Sequence, residues 1–301
     1  MTSIQEKIIA LKHKKNALIL AHFYQTMDIQ EIADHVGDSF ELAKCAQTAQ
    51  QSTIVLCGVR FMAESAKILN PAKTVLLPAQ DAGCSMADMI TPEQVKRLRA
   101  EHPDAAVMCY VNSSAAVKAE SDICCTSSSA VRIARSLPQK RIIFIPDQNL
   151  GAYVASQVPE KEFFFFQGFC PIHHAVTPQE VMEAKKAHPK ALVLVHPECK
   201  IEVQERADFV GSTAAILNYV QNSPNKEFII GTEVGIVQRI RKTMPQKSAY
   251  LLSDRMICLN MKKASIEDVL YCLKHGVYEI DLPQAEMKGA YQSLARMVSM
   301  Q

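Results

Sequence analysis

Three segments of this chain open in the same way at nearly the same interval: TPEQVKRLRAEHP from Thr91, TPQEVMEAKKAHP from Thr177 and SIEDVLYCLKHG from Ser265, their starts 86 and 88 positions apart. Each begins with a Thr or Ser that can cap free backbone N–H groups, places acidic residues in its first turn and ends on His beside Pro or Gly. One such helix is common. Three in register require a chain built from like units that bury their apolar faces against one another.

The same offsets recur in apolar runs of buried-strand type, ALILAHFY from Ala17, AAVMCYVN from Ala105 and ALVLVHPE from Ala191. His22, Tyr110 and His196 therefore share one position, and Tyr24, Asn112 and Glu198 share another. After each run comes an Asp (Asp34, Asp122, Asp208) and a small-residue helix start, which makes Ser39, Ser127 and Thr213 equivalent. A second apolar run, a helix and a third run follow, and the third run closes on a cysteine each time: Cys84, Cys170, Cys258. Alternating strands and helices predict an α/β fold of three pseudo-threefold-related, three-layer α/β repeats with short parallel sheets and the active site on the central axis. The expected units are residues 1–90, 91–176 and 177–301, the last ending in C-terminal helices, with Pro283 in the first turn of the final one. The FFFF run at Phe163 to Phe166 reads as a strand buried on both faces.

Composition narrows the function. With 48% apolar and 21% charged residues and a formal charge of +2, the chain carries no nucleic-acid footprint. No stretch is long and apolar enough for a membrane span or a secretory leader, so a cytoplasmic location is expected. There are 10 cysteines and none falls in a C-x-x-C pair, so zinc-ribbon and thioredoxin-like sites are not indicated. Any metal site has to be assembled from distant segments. No G-x-G-x-x-G, G-x-x-x-x-G-K-[ST] or G-x-S-x-G occurs.

Ligands of open α/β sheets bind beyond the carboxyl ends of the strands. If three such rims face one axis, Cys84, Cys170 and Cys258 meet there. Three thiolates without a fourth protein ligand suit a [4Fe-4S] cluster with one open iron, although any one of them alone is more readily an ordinary buried cysteine. Cys45 and Cys272 fall in helices and Cys57 and Cys109 in strands, while Cys124, Cys125 and Cys199 lie near the rim without counterparts. Helices starting near Ser39, Ser127 and Thr213 would offer three anion subsites, or these residues merely cap their own helices.

AHFYQ, GDSFELAK, CYVNSSAAVKAESD, PDQNLG, GFCPIH, VHPEC, DFVGSTAAI and GTEVGI, in that order, resemble the signature segments of quinolinate synthases. The resemblance runs from Ala21 beyond Gly235, with Cys258 completing the cysteine triad. It implies a threefold α/β enzyme with a [4Fe-4S] cluster that condenses iminoaspartate with dihydroxyacetone phosphate to quinolinate, releasing phosphate and water, early in NAD biosynthesis. A companion aspartate-oxidising enzyme would supply the imine. The implied substrate contacts are His22, Ser39, Tyr110, Asn112, Ser127, His196, Glu198 and Thr213. Tyr24 and Glu198, assisted by His196, are the implied proton-transfer groups, and the open iron is the implied Lewis acid. His173 and His174 receive no role. The chain departs from some relatives in lacking tryptophan and a C-terminal C-x-x-C pair, which puts thiol-switch regulation in doubt. An aconitase-type [4Fe-4S] hydro-lyase and a non-enzymatic iron-sulfur sensor are the alternatives.

Overall fold

The computed structural model describes residues 2–300. Its first repeat runs α1 (Ser3–Lys14), β1 (Ala17–His22), α2 (Met27–Ile32), β2 (His35–Gly37), α3 (Ser39–Thr48), β3 (Thr53–Cys57), α4 (Arg60–Leu69) and β4 (Thr74–Leu76). The second runs α5 (Pro92–Glu101), β5 (Ala106–Tyr110), α6 (Ala115–Ala119), β6 (Ile123–Cys125), α7 (Ala130–Ser136), β7 (Arg141–Ile145), α8 (Gln148–Gln157) and β8 (Glu162–Phe165), followed by the short α9 (Pro171–His174). The third runs α10 (Pro178–Ala187), β9 (Leu192–Val195), α11 (Ile201–Gln204), β10 (Phe209–Val210), α12 (Thr213–Asn222), β11 (Glu227–Gly231), α13 (Val234–Thr243) and β12 (Ser248–Leu251), then α14 (Ile266–His275) and α15 (Gln284–Ser299). The order of elements repeats three times.

Each repeat forms a four-stranded parallel sheet, ordered β2-β1-β3-β4, β6-β5-β7-β8 and β10-β9-β11-β12. The sequence suggested three strands per unit. The additional one, β2, β6 or β10, is too short to show a period and is held by the Asp that precedes it. Asp34, Asp122 and Asp208 accept the backbone N–H of Ile19, Val107 and Val193 at 2.8, 2.7 and 2.8 Å and return their own N–H to the carbonyl of the same residue. Each carboxylate also pairs with a helix cation, Lys12, Arg99 or Lys185.

Capping boxes at Thr2, Thr91, Thr177 and Ser265 start α1, α5, α10 and α14, so the helix after Ser265 is the fourth of a series. Among the described residues no fourth sheet follows it. Instead α14 packs beside α1, and the segment after it joins the first sheet: Leu77 N–H donates to Tyr278 O at 3.0 Å and Ile280 N–H to Val75 O at 2.8 Å. Helix α15, with Pro283 as its N-cap, packs on α6, β6 and α4, elements of the first and second repeats.

The Phe163–Phe166 run is not buried on both faces. β8 is the edge of its sheet with one strand neighbour, and all four rings are half-buried. Phe164 is covered by His102, stacked at 3.6 Å, and by the Arg141 guanidinium at 4.7 Å. Among the described residues no helix is long and apolar enough to cross a membrane.

One further threefold bond aims the cysteines. Arg60 N–H donates to Ala82 O at 2.8 Å, Gln148 N–H to Gly168 O at 2.9 Å and Val234 N–H to Met256 O at 2.9 Å. The accepting residue stands two places before the cysteine in every repeat.

Candidate active site

A cavity of about 390 Å³ lies where the strand ends of all three repeats meet. Its walls include His22, Tyr24, Ser39 and Cys84 from the first repeat, Tyr110, Asn112, Ser127 and Cys170 from the second, and His196, Glu198, Thr213 and Cys258 from the third. Every site residue marked out by the sequence reaches this one space, and none of the other seven cysteines does.

Burial pushes all three lining thiols up: Cys84 to about 12, Cys170 and Cys258 also above their usual range. A neighbouring thiolate adds to this for Cys84 and Cys170. Three thiols in one wall without lysine or arginine would need a cationic ligand to lose their protons together. The donor set therefore fits a cluster held by three cysteines. A second grouping overlaps it, since ligating atoms of Cys170, His173 and Glu198 lie within 4.8 Å of one another.

Two histidines are fixed alike. The Nδ1 of His22 accepts the Tyr24 N–H at 3.1 Å, and the Nδ1 of His196 accepts the Glu198 N–H at 3.3 Å. Burial lowers them to about 3 and about 4, so both are neutral at pH 7 and carry their proton on Nε2. The Nε2 of His196 reaches Ser127 Oγ at 3.1 Å. Each ring is thereby a hydrogen-bond donor aimed away from its own backbone.

A chain of hydrogen bonds crosses the three repeats. Tyr24 Oη meets Thr232 Oγ1 at 2.7 Å, Thr232 Oγ1 meets His173 Nε2 at 3.0 Å, His173 Nδ1 meets Glu198 Oε2 at 2.8 Å, and Tyr110 Oη donates to Glu198 Oε1 at 2.7 Å. All five residues are buried. Burial alone would raise the Glu198 carboxyl, but His196, His173 and the two hydrogen bonds it accepts outweigh that and keep it ionised. A carboxylate only accepts, so His173 carries a proton on Nδ1, and through its Nε2 the Thr232 hydroxyl links it to Tyr24 with either hydroxyl free to be the donor. Burial, then the charge of Glu198, pushes Tyr24 and Tyr110 well up, so both phenols keep their protons.

Sequence reasoning missed His173 and Thr232. Thr232 was within reach of it, since the repeat places it with Gly58 and Pro146 just past a central strand. His173 has no counterpart of its kind in the other repeats, and only its distance from Cys170 hinted at it. The helix starts also differ from expectation. Asp38 caps α3 through Phe40 N–H and Glu41 N–H at 2.9 and 3.0 Å, Ser212 caps α12, and α7 begins only at Ala130 because Thr126 and Ser129 close a turn first. Ser39 and Thr213 are thus not the caps of their own helices, and Ser127 stands in the turn ahead of its helix.

The sequence profile of the family described as NadA, Quinolinate synthetase A protein, matches residues 6–299. Curated proteins called quinolinate synthase are similar over nearly the full length. One from Caldicellulosiruptor saccharolyticus is 52% identical over 99% of this chain and 98% of its own. One from Methanoregula boonei is also 52% identical over the same shares, and one from Clostridium perfringens is 48% identical over 98% of each. With the threefold α/β architecture and the shared cavity, these likenesses establish that the chain belongs to the quinolinate synthase family.

Proposed function

We propose that this protein condenses iminoaspartate with dihydroxyacetone phosphate to quinolinate, releasing phosphate and water, as a step of NAD biosynthesis in the cytoplasm. The observation that carries this reading is the buried chain from Tyr24 to Glu198 beside three clustered thiols, because the reaction combines repeated proton transfers with loss of water. A companion aspartate-oxidising enzyme would supply the imine. Cys84, Cys170 and Cys258 would hold a [4Fe-4S] cluster, which when bound supplies a Lewis-acidic iron without a protein ligand.

The residues of the chain divide the remaining work. His22 and His196 donate Nε2–H bonds to anionic substrate groups, supported by the Ser39, Ser127 and Thr213 hydroxyls, while Asn112 and Tyr110 line the same cavity. Tyr24 takes a substrate proton as its own passes to Thr232 and that of Thr232 passes to His173 Nε2. The imidazolium so formed is held by Glu198, which keeps its charge throughout. Reversal of the same steps returns the proton to a departing hydroxyl. Glu198 is on this reading an orienting group, and His173 the place where the proton waits.

The test is anaerobic: protein reconstituted with iron and sulfide, then given both substrates, with quinolinate measured by chromatography. Its formation supports the reading. A well-loaded cluster with no quinolinate and turnover of a hydroxy acid favours an aconitase-type hydro-lyase instead.

A further inference from the structure

The fourth residue after each cysteine is Asp88, His174 or Lys262, and these positions do different things. The Lys262 ammonium hydrogen-bonds to the backbone carbonyl of Tyr24 and lies 3.1 Å from Glu233 Oε1. Glu233 has no exposed surface, and it accepts the N–H of Gly235 at 2.7 Å and that of Cys258 itself at 3.3 Å. The third cysteine loop therefore grips the main chain at Tyr24. Gly235 permits the close approach, since a Cβ there would stand 2.7 Å from Phe23 O and 3.0 Å from Tyr24 Cα.

The second loop grips the third repeat in the same sense. His174 Nδ1 accepts from Asn149 Nδ2 at 3.0 Å, and that amide also donates to the backbone carbonyl of Glu198 at 3.0 Å. The first loop has no such tie among the described residues: the N–H of Asp88 bonds Cys84 O just as that of His174 bonds Cys170 O, but no side-chain bond from Asp88 reaches the next repeat, and the position shared by Asp147 and Glu233 is Val59, which has no polar side chain. Tyr24, Asn112 and Glu198 occupy one position of the repeat. The two that the cysteine loops grip belong to the proton chain, while the loop at Asn112 is held instead by Lys118 through Ser113 O and Phe61 O.

We propose that Lys262 with Glu233, and His174 with Asn149, are positioning residues through which a filled three-thiol centre fixes the backbone of Tyr24 and Glu198. The inference rests on the cluster reading above. Drawing Cys258 and Cys170 onto iron tightens their loops, and each loop carries its tie into the next repeat. An empty centre leaves both residues loosely placed. Filling it aligns the proton chain.

Hydrogen–deuterium exchange read by mass spectrometry tests this on cluster-free and anaerobically loaded protein, with iron content and visible absorbance recorded in parallel. In the unaltered protein, loading slows exchange over residues 22–26 and 196–200 by about tenfold or more. Lys262→Met keeps its cluster and loses the slowing at 22–26 alone, and Asn149→Leu loses it at 196–200 alone. Lys262→Arg restores the first effect. In both apolar variants kcat falls while KM stays within about twofold. Lys262→Gln and Asn149→Ser carry the same comparison if the apolar variants do not fold. Loaded protein with no slowing at either segment, or variants that slow both segments equally, overturns the proposal. Unaltered protein that takes up no cluster overturns the reading beneath it.

Discussion

The periphery of the molecule is nearly symmetric and its cavity is not. Asp34, Asp122 and Asp208 each hold a first strand by its backbone N–H, and three main-chain bonds each aim a cysteine loop. At the cavity, equivalent positions carry Tyr24, Asn112 and Glu198, or Asp38, Thr126 and Ser212. Bonds to backbone are needed wherever a unit folds, whatever it faces. Groups that face the ligand need differ, because the ligand has no threefold symmetry. Between the two lies a mixed case: Gln30 and Gln204 hold their strand-end loops by side-chain amides, and the fully buried Lys118 does the same in the second repeat through Ser113 O at 2.7 Å and Phe61 O at 3.3 Å.

This contrast can be broken at the cavity most severely. Serine at Cys84, Cys170 or Cys258 should abolish cluster absorbance and activity, whereas serine at Cys45 should leave both unchanged; a normal cluster in any of the first three would remove that residue from the centre. Next come Tyr24→Phe and His173→Gln, each expected to keep the cluster and lower kcat by about 10²- to 10⁴-fold, with an unchanged rate excluding the residue from proton transfer.

Acid should then act through the cavity rather than the periphery. His22 and His196 are depressed to about 3 and about 4 in the folded state, so their contribution is complete above the ordinary histidine value of 6.5 and is lost as pH falls from there toward those values. Thermal melts should show stability falling between pH 6.5 and 4 by on the order of 1 kcal/mol per pH unit per histidine, and His22→Asn should flatten that slope. At the periphery Asp122→Ala should cost about 1–3 kcal/mol by leaving the Val107 N–H unpaired, while kcat of the folded fraction stays the same. The smallest effect is expected from Lys118→Gln, which installs the residue that serves at positions 30 and 204. A change in melting behaviour beyond about 1 kcal/mol, or any loss of kcat, would show that the charge matters and not only the bonds it makes.

The periodicity exposed the sheets, the helix caps and the cavity residues because each repeat tests the others. It failed where a residue has no like counterpart. His173 and Lys262 share positions with residues of other chemistry, so equivalence could not reveal them. The strands β2, β6 and β10 are two or three residues long and leave no alternation to read. The phenylalanine run misled because hydrophobicity reports burial but not rank within a sheet. Being last in the order left β8 with one neighbour, and His102 and Arg141 provide cover that sequence distance hides.

The pairing of residues 278–280 with β4, and of α14 with α1, gives the molecule a clasp. In a chain made from its N-terminus the β4 edge has no partner from residues 278–280 until two further repeats have been made. Bare edges invite pairing with other chains. The segment that hides this edge follows α14, which packs on α1, so one stretch after the last cysteine of the cavity draws the ends of the array together. A chain that has reached Cys258 but not residues 278–280 therefore has every cysteine of the cavity in hand and still shows this edge.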